Sequence, residues 1–267
     1  MDRKKILRGI IFLILALFLV LLFTGNLTLP SLMEIYGCQE MFSQYYVDPE
    51  IAREDVPEKW NPKIYENGQA LLLAMVQECD KMVLDKIFDL GEVGMSHLWI
   101  EVDGPNEILE PYQDTSRSLP TRYWFILPHQ LDKLNAHRLF RIAGVDSQEV
   151  AKISLGGDPM GTRSGLVKES NTPEKGYNWT ESSDLYPQPD IVTGSQKFYR
   201  QYRNRESAAQ AKCISHFLGD SDVTITAEEE STVGQLGFGT TLEGWANPVW
   251  VEYCRVDYQV RFFPGEN

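Results

Sequence analysis

Residues 67–88 read NGQALLLAMVQECDKMVLDKIF, and a short way on residues 96–102 read SHLWIEV. The change of period between these two stretches decides the fold class. In the first, Leu72, Val76, Cys79, Val83 and Ile87 recur three or four residues apart, while Glu78, Asp80 and Lys81 fall off that stripe. This is the pattern of an amphipathic helix with Cys79 on its core face, ended by Gly91 and Gly94. In the second, His97, Trp99 and Glu101 alternate with Leu98, Ile100 and Val102, which assigns the two sets to opposite faces of a strand. Asp103-Gly104-Pro105-Asn106 is turn chemistry, with further strands expected at residues 107–109 and Arg122–Leu127. A helix followed by a meander predicts an α+β domain with an antiparallel sheet.

Working outward, Glu34–Val47 (EIYGCQEMFSQYYV) reads as a short helix stopped by Asp48-Pro49, and 48–62 as a charged, proline-containing loop. Beyond the meander, residues 144–189 are polar and rich in Gly and Pro, with GGDPMGTRSG at their centre. No GxxxxGK[ST] phosphate loop occurs there, which makes it an ordinary loop. Ser195–Leu218 is expected as a helix whose Lys197, Arg200, Arg203 and Arg205 form a solvated face. Strands follow at Asp222–Ala227 and Pro248–Phe263, and the aromatics Tyr199, Tyr202, Trp245, Trp250, Tyr253 and Tyr258 suit core packing or a sugar-stacking surface. The expected organisation is an α+β domain at 34–143, an irregular linker or long loop at 144–194, and a helix plus β-strands at 195–267, on the same domain or a small second one.

The N-terminus carries Arg3, Lys4, Lys5 and Arg8, after which Gly9–Met33 gives 25 residues without a charge. A membrane-crossing helix needs roughly 20 such residues. The expectation is a cytoplasmic tail at 1–8, a transmembrane anchor at 9–30 and an extracytoplasmic main domain, the basic flank staying inside. Phe23-Thr24-Gly25-Asn26 offers no good pair of small residues for cleavage, which favours an uncleaved anchor over a signal peptide. That places the chain in the cell membrane as a single-pass protein.

With 38 acidic against 25 basic residues the net charge is −13, which argues against nucleic acid as a partner. Four cysteines in an exported domain suggest two disulfides. Of the three possible pairings, Cys38–Cys79 and Cys213–Cys254 are favoured because each closes a moderate loop within one half of the chain. No two cysteines lie two to four residues apart, so zinc is not expected, nor any other metal or cofactor.

The helix NGQALLLAMVQEC, the run His97-Leu98-Trp99-Ile100-Glu101-Val102 and the segment Leu109-Glu110-Pro111-Tyr112-Gln113-Asp114 together resemble the transglutaminase-like branch of the papain-like hydrolases, over residues 64–116. The resemblance implies a Cys-His-acid arrangement with His97 as base and Glu110 or Asp114 as its orienter. Where that family keeps its cysteine, at the helix opening, this chain has Asn67-Gly68-Gln69; Cys38 is the fallback nucleophile. The reading is therefore a membrane-anchored extracytoplasmic module with a degenerate, inactive transglutaminase-like fold, binding an envelope protein or polysaccharide. The alternatives are a cysteine hydrolase or transferase using Cys38 and His97, and an accessory subunit of a membrane complex. The state of the Cys38 thiol separates the first two. His129, His137 and His216 have no Cys or carboxylate at telling spacing and are read as structural.

Overall fold

In the computed structural model the stretch read as a helix at 67–88 is a strand. Leu71, Leu73, Met75 and Cys79 face one core, and Leu72, Ala74 and Val76 face another. A strand buried on both sides shows a near-continuous apolar run instead of alternation, and the three-or-four spacing in it was coincidental. The strand ends in a tight turn where Asp85 and Lys86 take positive φ, 46° and 60°, and the chain returns directly into the SHLWIEV strand.

The described residues are 3–23, 32–58, 60–104, 117–118, 122–142, 147–157, 162–169, 175–188, 192–200, 205–237, 241–243 and 251–264. Helix α1 spans Arg3–Phe23, strand β1 Leu32–Val47, α2 Pro49–Asp55, β2 Ala70–Leu84, β3 Phe88–Glu101, β4 Arg117–Ser118 and β5 Arg122–Leu131. Then come α3 Leu134–Ile142, β6 Gln148–Glu149, β7 Lys152–Gly157, β8 Arg163–Lys168 and β9 Gly176–Gln188. The chain continues with β10 Val192–Arg200, β11 Arg205–Ala227, α4 Thr232–Gln235, β12 Thr241–Glu243 and β13 Val251–Pro264.

The strands run in the order β10-β5-β3-β2-β1-β13-β11, and a further pairing of β11 with β10 closes them into a barrel of seven. Neighbours around the ring are antiparallel except β10 and β5. β11 is long enough to serve twice. Its first half pairs with β10 and β13, and from His216 onward it pairs with β9. β9, β8 and β7 then form a meander that folds back onto the outside of β1, β2 and β3.

Two cores follow from this layering. One lies inside the barrel and takes Phe140 and Ala136 of α3. The other lies between the barrel wall and the meander, with Leu72, Val76, Leu98 and Ile100 from the wall and Val167, Tyr177 and Trp179 from the meander. Close approach of the two layers requires Gly165, where a Cβ would stand 2.7 Å from Val76 Cγ1 and 3.1 Å from Trp179 Cε3.

The architecture corrects the α+β expectation: the domain is predominantly β. Glu34–Val47 belongs to β1, and the described residues of Ser195–Leu218, expected as a helix, lie in β10 and β11. The stretch read as irregular, 144–194, holds β6 to β9, and the loop at 48–62 contains α2, capped by the Asp48 carboxylate accepting from Glu50 N–H. The transglutaminase-like core is also overturned, since that resemblance needs a helix at 67–79 and the chain has β2 there. The N-terminal span is corrected too. Of the anchor expected at 9–30, residues 9–23 lie in α1 and residues 24–30 lie outside the described residues. Among the described residues no helix is long and apolar enough to cross a membrane.

Cys38 and Cys79 form a disulfide between β1 and β2, at positions where both strands bulge. The side chains of Cys213 and Cys254 lie outside the described residues. Closing a loop of 41 residues predicts about 2–4 kcal/mol of stabilisation. A Cys38→Ala/Cys79→Ala double variant should lose that much in a denaturant titration, and a loss under about 0.5 kcal/mol would show that the bond constrains little.

A candidate binding cavity inside the barrel

The alternation read in SHLWIEV holds in the structure. His97 and Trp99 point into the barrel and Leu98, Ile100 and Val102 into the outer core. Register then brings inward-facing partners beside them. His97 is opposite Met75 on β2 and His129 on β5, and Glu40 on β1 is opposite Gln77 on β2. Tyr258 comes from β13, where it faces Ile35.

These residues surround a cavity of about 40 Å³. Its wall is mostly apolar, including Met33, Met75, Met95, Trp99, Phe140 and Phe262, and its polar members are Gln77, His97, His129, Ser207 and Tyr258. None of the described lining residues is a lysine or an arginine.

His97 is 2 % exposed, stacked on Trp99 at 5.2 Å between centroids and 4.1 Å from the His129 ring. Burial, and secondly the neighbouring His129, hold its pKa well below the ordinary histidine value, so the ring is neutral. The Gln77 amide nitrogen lies 3.0 Å from His97 Nε2. With that amide donating, Nε2 is the acceptor and the ring proton sits on Nδ1, an assignment made from the hydrogen-bond network. Among the described residues neither His97 Nδ1 nor Gln77 Oε1 has a hydrogen-bond partner, though both are buried. Such groups are uncommon inside proteins. Here they offer one donor and one acceptor beside an apolar cavity.

Glu40, 4 % exposed, accepts a hydrogen bond from the Tyr258 hydroxyl, which also approaches Met75 Sδ at 3.9 Å. Two polar pairs, Gln77–His97 and Glu40–Tyr258, thus stand side by side, joined by the cross-strand pairing of Glu40 with Gln77.

Farther along β3 the inward-facing Glu101 belongs to a different arrangement. It receives hydrogen bonds from Arg122, Lys63 (3.1 Å) and Tyr65 (2.5 Å), and Arg122 lies 4.4 Å from the centre of the Trp124 ring. Burial alone would raise the Glu101 pKa. The Arg122 bond and charge, the Tyr65 hydroxyl and the Lys63 charge outweigh it and hold the carboxyl below its ordinary value. Both carboxylate oxygens of Glu101 are bonded within this cluster, Oε1 by Lys63 and Arg122 and Oε2 by Tyr65 and Arg122, so the carboxylate is committed to it.

Of the sequence-stretch candidates, His97 is in the cavity, while Glu110 and Asp114 lie outside the described residues. Cys38 is bonded to Cys79 and 0 % exposed, which removes the cysteine hydrolase or transferase reading. Gln69 is half-buried at the entry to β2, where it pairs with Asn67; the glutamine beside His97 is Gln77. His137 bonds Ser147, and the His216 side chain is outside the described residues. Gln77, Glu40 and Tyr258 were missed. The one available signal was a polar residue within an apolar run, as in LLLAMVQEC and YGCQEMF.

No protein-family model matches the sequence, and no curated protein matches it. Solved structures do match its fold. The enduracididine biosynthesis enzyme MppR complexed with pyruvate is similar at a TM-score of 0.53 and 14 % identity, covering 88 % of this chain and 89 % of that one. Acetoacetate decarboxylase from Legionella pneumophila subsp. pneumophila str. Philadelphia 1 is similar at a TM-score of 0.54 and 10 % identity, covering 86 % and 85 %. An acetoacetate decarboxylase-like enzyme from Sphingomonas wittichii RW1 gives a TM-score of 0.50 and 11 % identity, covering 88 % and 91 %. The fold is therefore that of acetoacetate decarboxylase-like proteins, which overturns the transglutaminase-like resemblance and the degenerate transglutaminase-like module built on it.

Proposed function

We propose that the barrel cavity binds a small, neutral carbonyl compound, with its carbonyl oxygen on His97 Nδ1–H. The observation that carries this reading is the unpartnered pair His97 Nδ1 and Gln77 Oε1, buried among apolar side chains. Charge narrows the class. A carboxylate in this cavity would meet a neutral imidazole, no described cation and the nearby Glu40, and burying an unpaired charge is very costly. Size narrows it further. A cavity of about 40 Å³ takes only a short compound, with the flexible side chains of Met33, Met75 and Met95 around its tail. A fold neighbour that holds pyruvate makes such a barrel a reasonable setting for carbonyl compounds. The described lining has no lysine to form a Schiff base with them.

The test is calorimetric titration of the full chain with 2-pentanone and, separately, with pyruvate. 2-Pentanone should bind and pyruvate should not. Gln77→Met, which keeps the volume but releases the His97 ring and removes the acceptor, should weaken 2-pentanone by several-fold, matching about 0.5–1.5 kcal/mol for one hydrogen bond. Pyruvate binding as tightly as the ketone, or an unaffected variant, would defeat the proposal.

A further inference from the structure

We propose that the cavity is also catalytic: it moves a proton on and off the carbon next to the carbonyl of its bound compound, His97 holding the oxygen and Glu40 receiving the proton through the Tyr258 hydroxyl. This rests on the carbonyl-binding reading above and adds an activity to it.

Glu40 is the starting point. A carboxylate 4 % exposed in a β-strand accepts a hydrogen bond from a phenol that lines the cavity, which couples it to whatever the cavity holds. Its place is also informative. It faces Gln77 across the β1–β2 ladder, where Cβ atoms stand about 4.5–5.5 Å apart, and Gln77 orients the ring of His97. The Tyr258 hydroxyl reaches Met75, the residue directly opposite His97. A molecule whose oxygen accepts from His97 Nδ1–H shares the cavity with Met75 and the Tyr258 hydroxyl. The cavity wall includes Tyr258 and not Glu40, so the carboxylate acts through the hydroxyl.

The step balances without a co-reactant. The C–H bond breaks and its electron pair becomes the C=C bond of the enolate. The carbonyl π pair moves onto oxygen, which His97 Nδ1–H stabilises as a neutral donor. The carbon-bound proton passes to the Tyr258 oxygen as the phenolic proton passes to Glu40. Reversal restores the ketone, with a solvent-derived proton once the Tyr258 hydroxyl, which now carries the proton taken from carbon, has exchanged. General acid–base groups so placed contribute roughly 10²–10⁴-fold.

The experiment is proton NMR of 2-pentanone in D₂O with the full chain, following loss of the protons next to the carbonyl, with binding measured on the same samples. The chain should accelerate exchange about 100-fold or more over buffer. Glu40→Gln and Tyr258→Phe, both near-isosteric, should each return exchange to the buffer rate with binding changed by less than about threefold, less than the loss of a typical hydrogen bond. Glu78→Gln, at an exposed position of β2, should change neither. Binding without accelerated exchange overturns the activity and leaves the binding reading standing, and so does exchange that survives in either variant that folds. Absence of ketone binding overturns both.

Discussion

Trp179→Ala should lower the unfolding free energy by about 3–5 kcal/mol, the range for removing a fully buried large aromatic. Trp179 is 1 % exposed and faces Gly165 on β8 and Ile225 on β11. Its indole N–H reaches the Tyr45 hydroxyl of β1 at 3.4 Å. It therefore helps to join the meander to the barrel wall, with the Gly165 backbone close against both it and Val76. Urea unfolding should show a lower midpoint with an unchanged slope. Trp179→Phe should recover most of the loss, because it keeps the apolar contact. A loss below about 1 kcal/mol for alanine, typical of an average substitution, would mean that the outer core is held elsewhere.

Glu101→Ala should cost about 3–5 kcal/mol at neutral pH, because removing one member of a buried ion pair leaves its partners uncompensated. The lower figure is favoured: Arg122 and Lys63 are 32 % and 45 % exposed and can turn to water, whereas Glu101 is 3 % exposed. The pH dependence has a definite sign. The folded-state pKa of Glu101 lies below its ordinary value of 4.5, so its contribution is fully present above about pH 4.5 and is lost as pH falls through the folded value. The stability gap between the parent and Glu101→Gln should accordingly be constant from pH 7 to about 5 and shrink below about pH 4.5. A gap that widens with acid would contradict the arrangement.

The parts of this fold that could be read from sequence are those buried on one side or patterned strictly by twos. SHLWIEV alternates, and its faces are where the pattern puts them. RYWFIL and, from Val251 onward, VEYCRVDYQVRFF also lie in strands, β5 and β13. The helices expected at Glu34–Val47, Asn67–Phe88 and Ser195–Leu218 were strands for two physical reasons. β1 and β2 are wrapped by a core on each side, which erases the period of two. Bulges at Ile35/Cys38, Cys79/Met82 and Cys213/Ser215 then shift the alternation within each run. The same logic accounts for the false resemblance: H-x-W-x-E-V is what an inward-facing barrel strand produces when it carries a polar residue at each end of an aromatic. His97 was legible because its strand alternates. Glu40, Gln77 and Tyr258 were not, since only the closure of the ring brings Tyr258 to a carboxylate 218 residues away.

The position of β1 between β2 and β13 also sets a timetable for biosynthesis. Ile35 pairs with Met82 on one side and Tyr258 on the other. At 5–20 residues per second the ribosome takes roughly 10–40 s to travel from Val47 to Pro264. Throughout that interval one edge of β1 has no β13 to pair with, an open template for a wrong neighbour. Ring closure across so long a sequence separation is a slow, late event. Because Tyr258 forms part of the cavity wall, the nascent chain acquires its pocket only when that strand docks, and a ligand can reward only chains that have already finished folding.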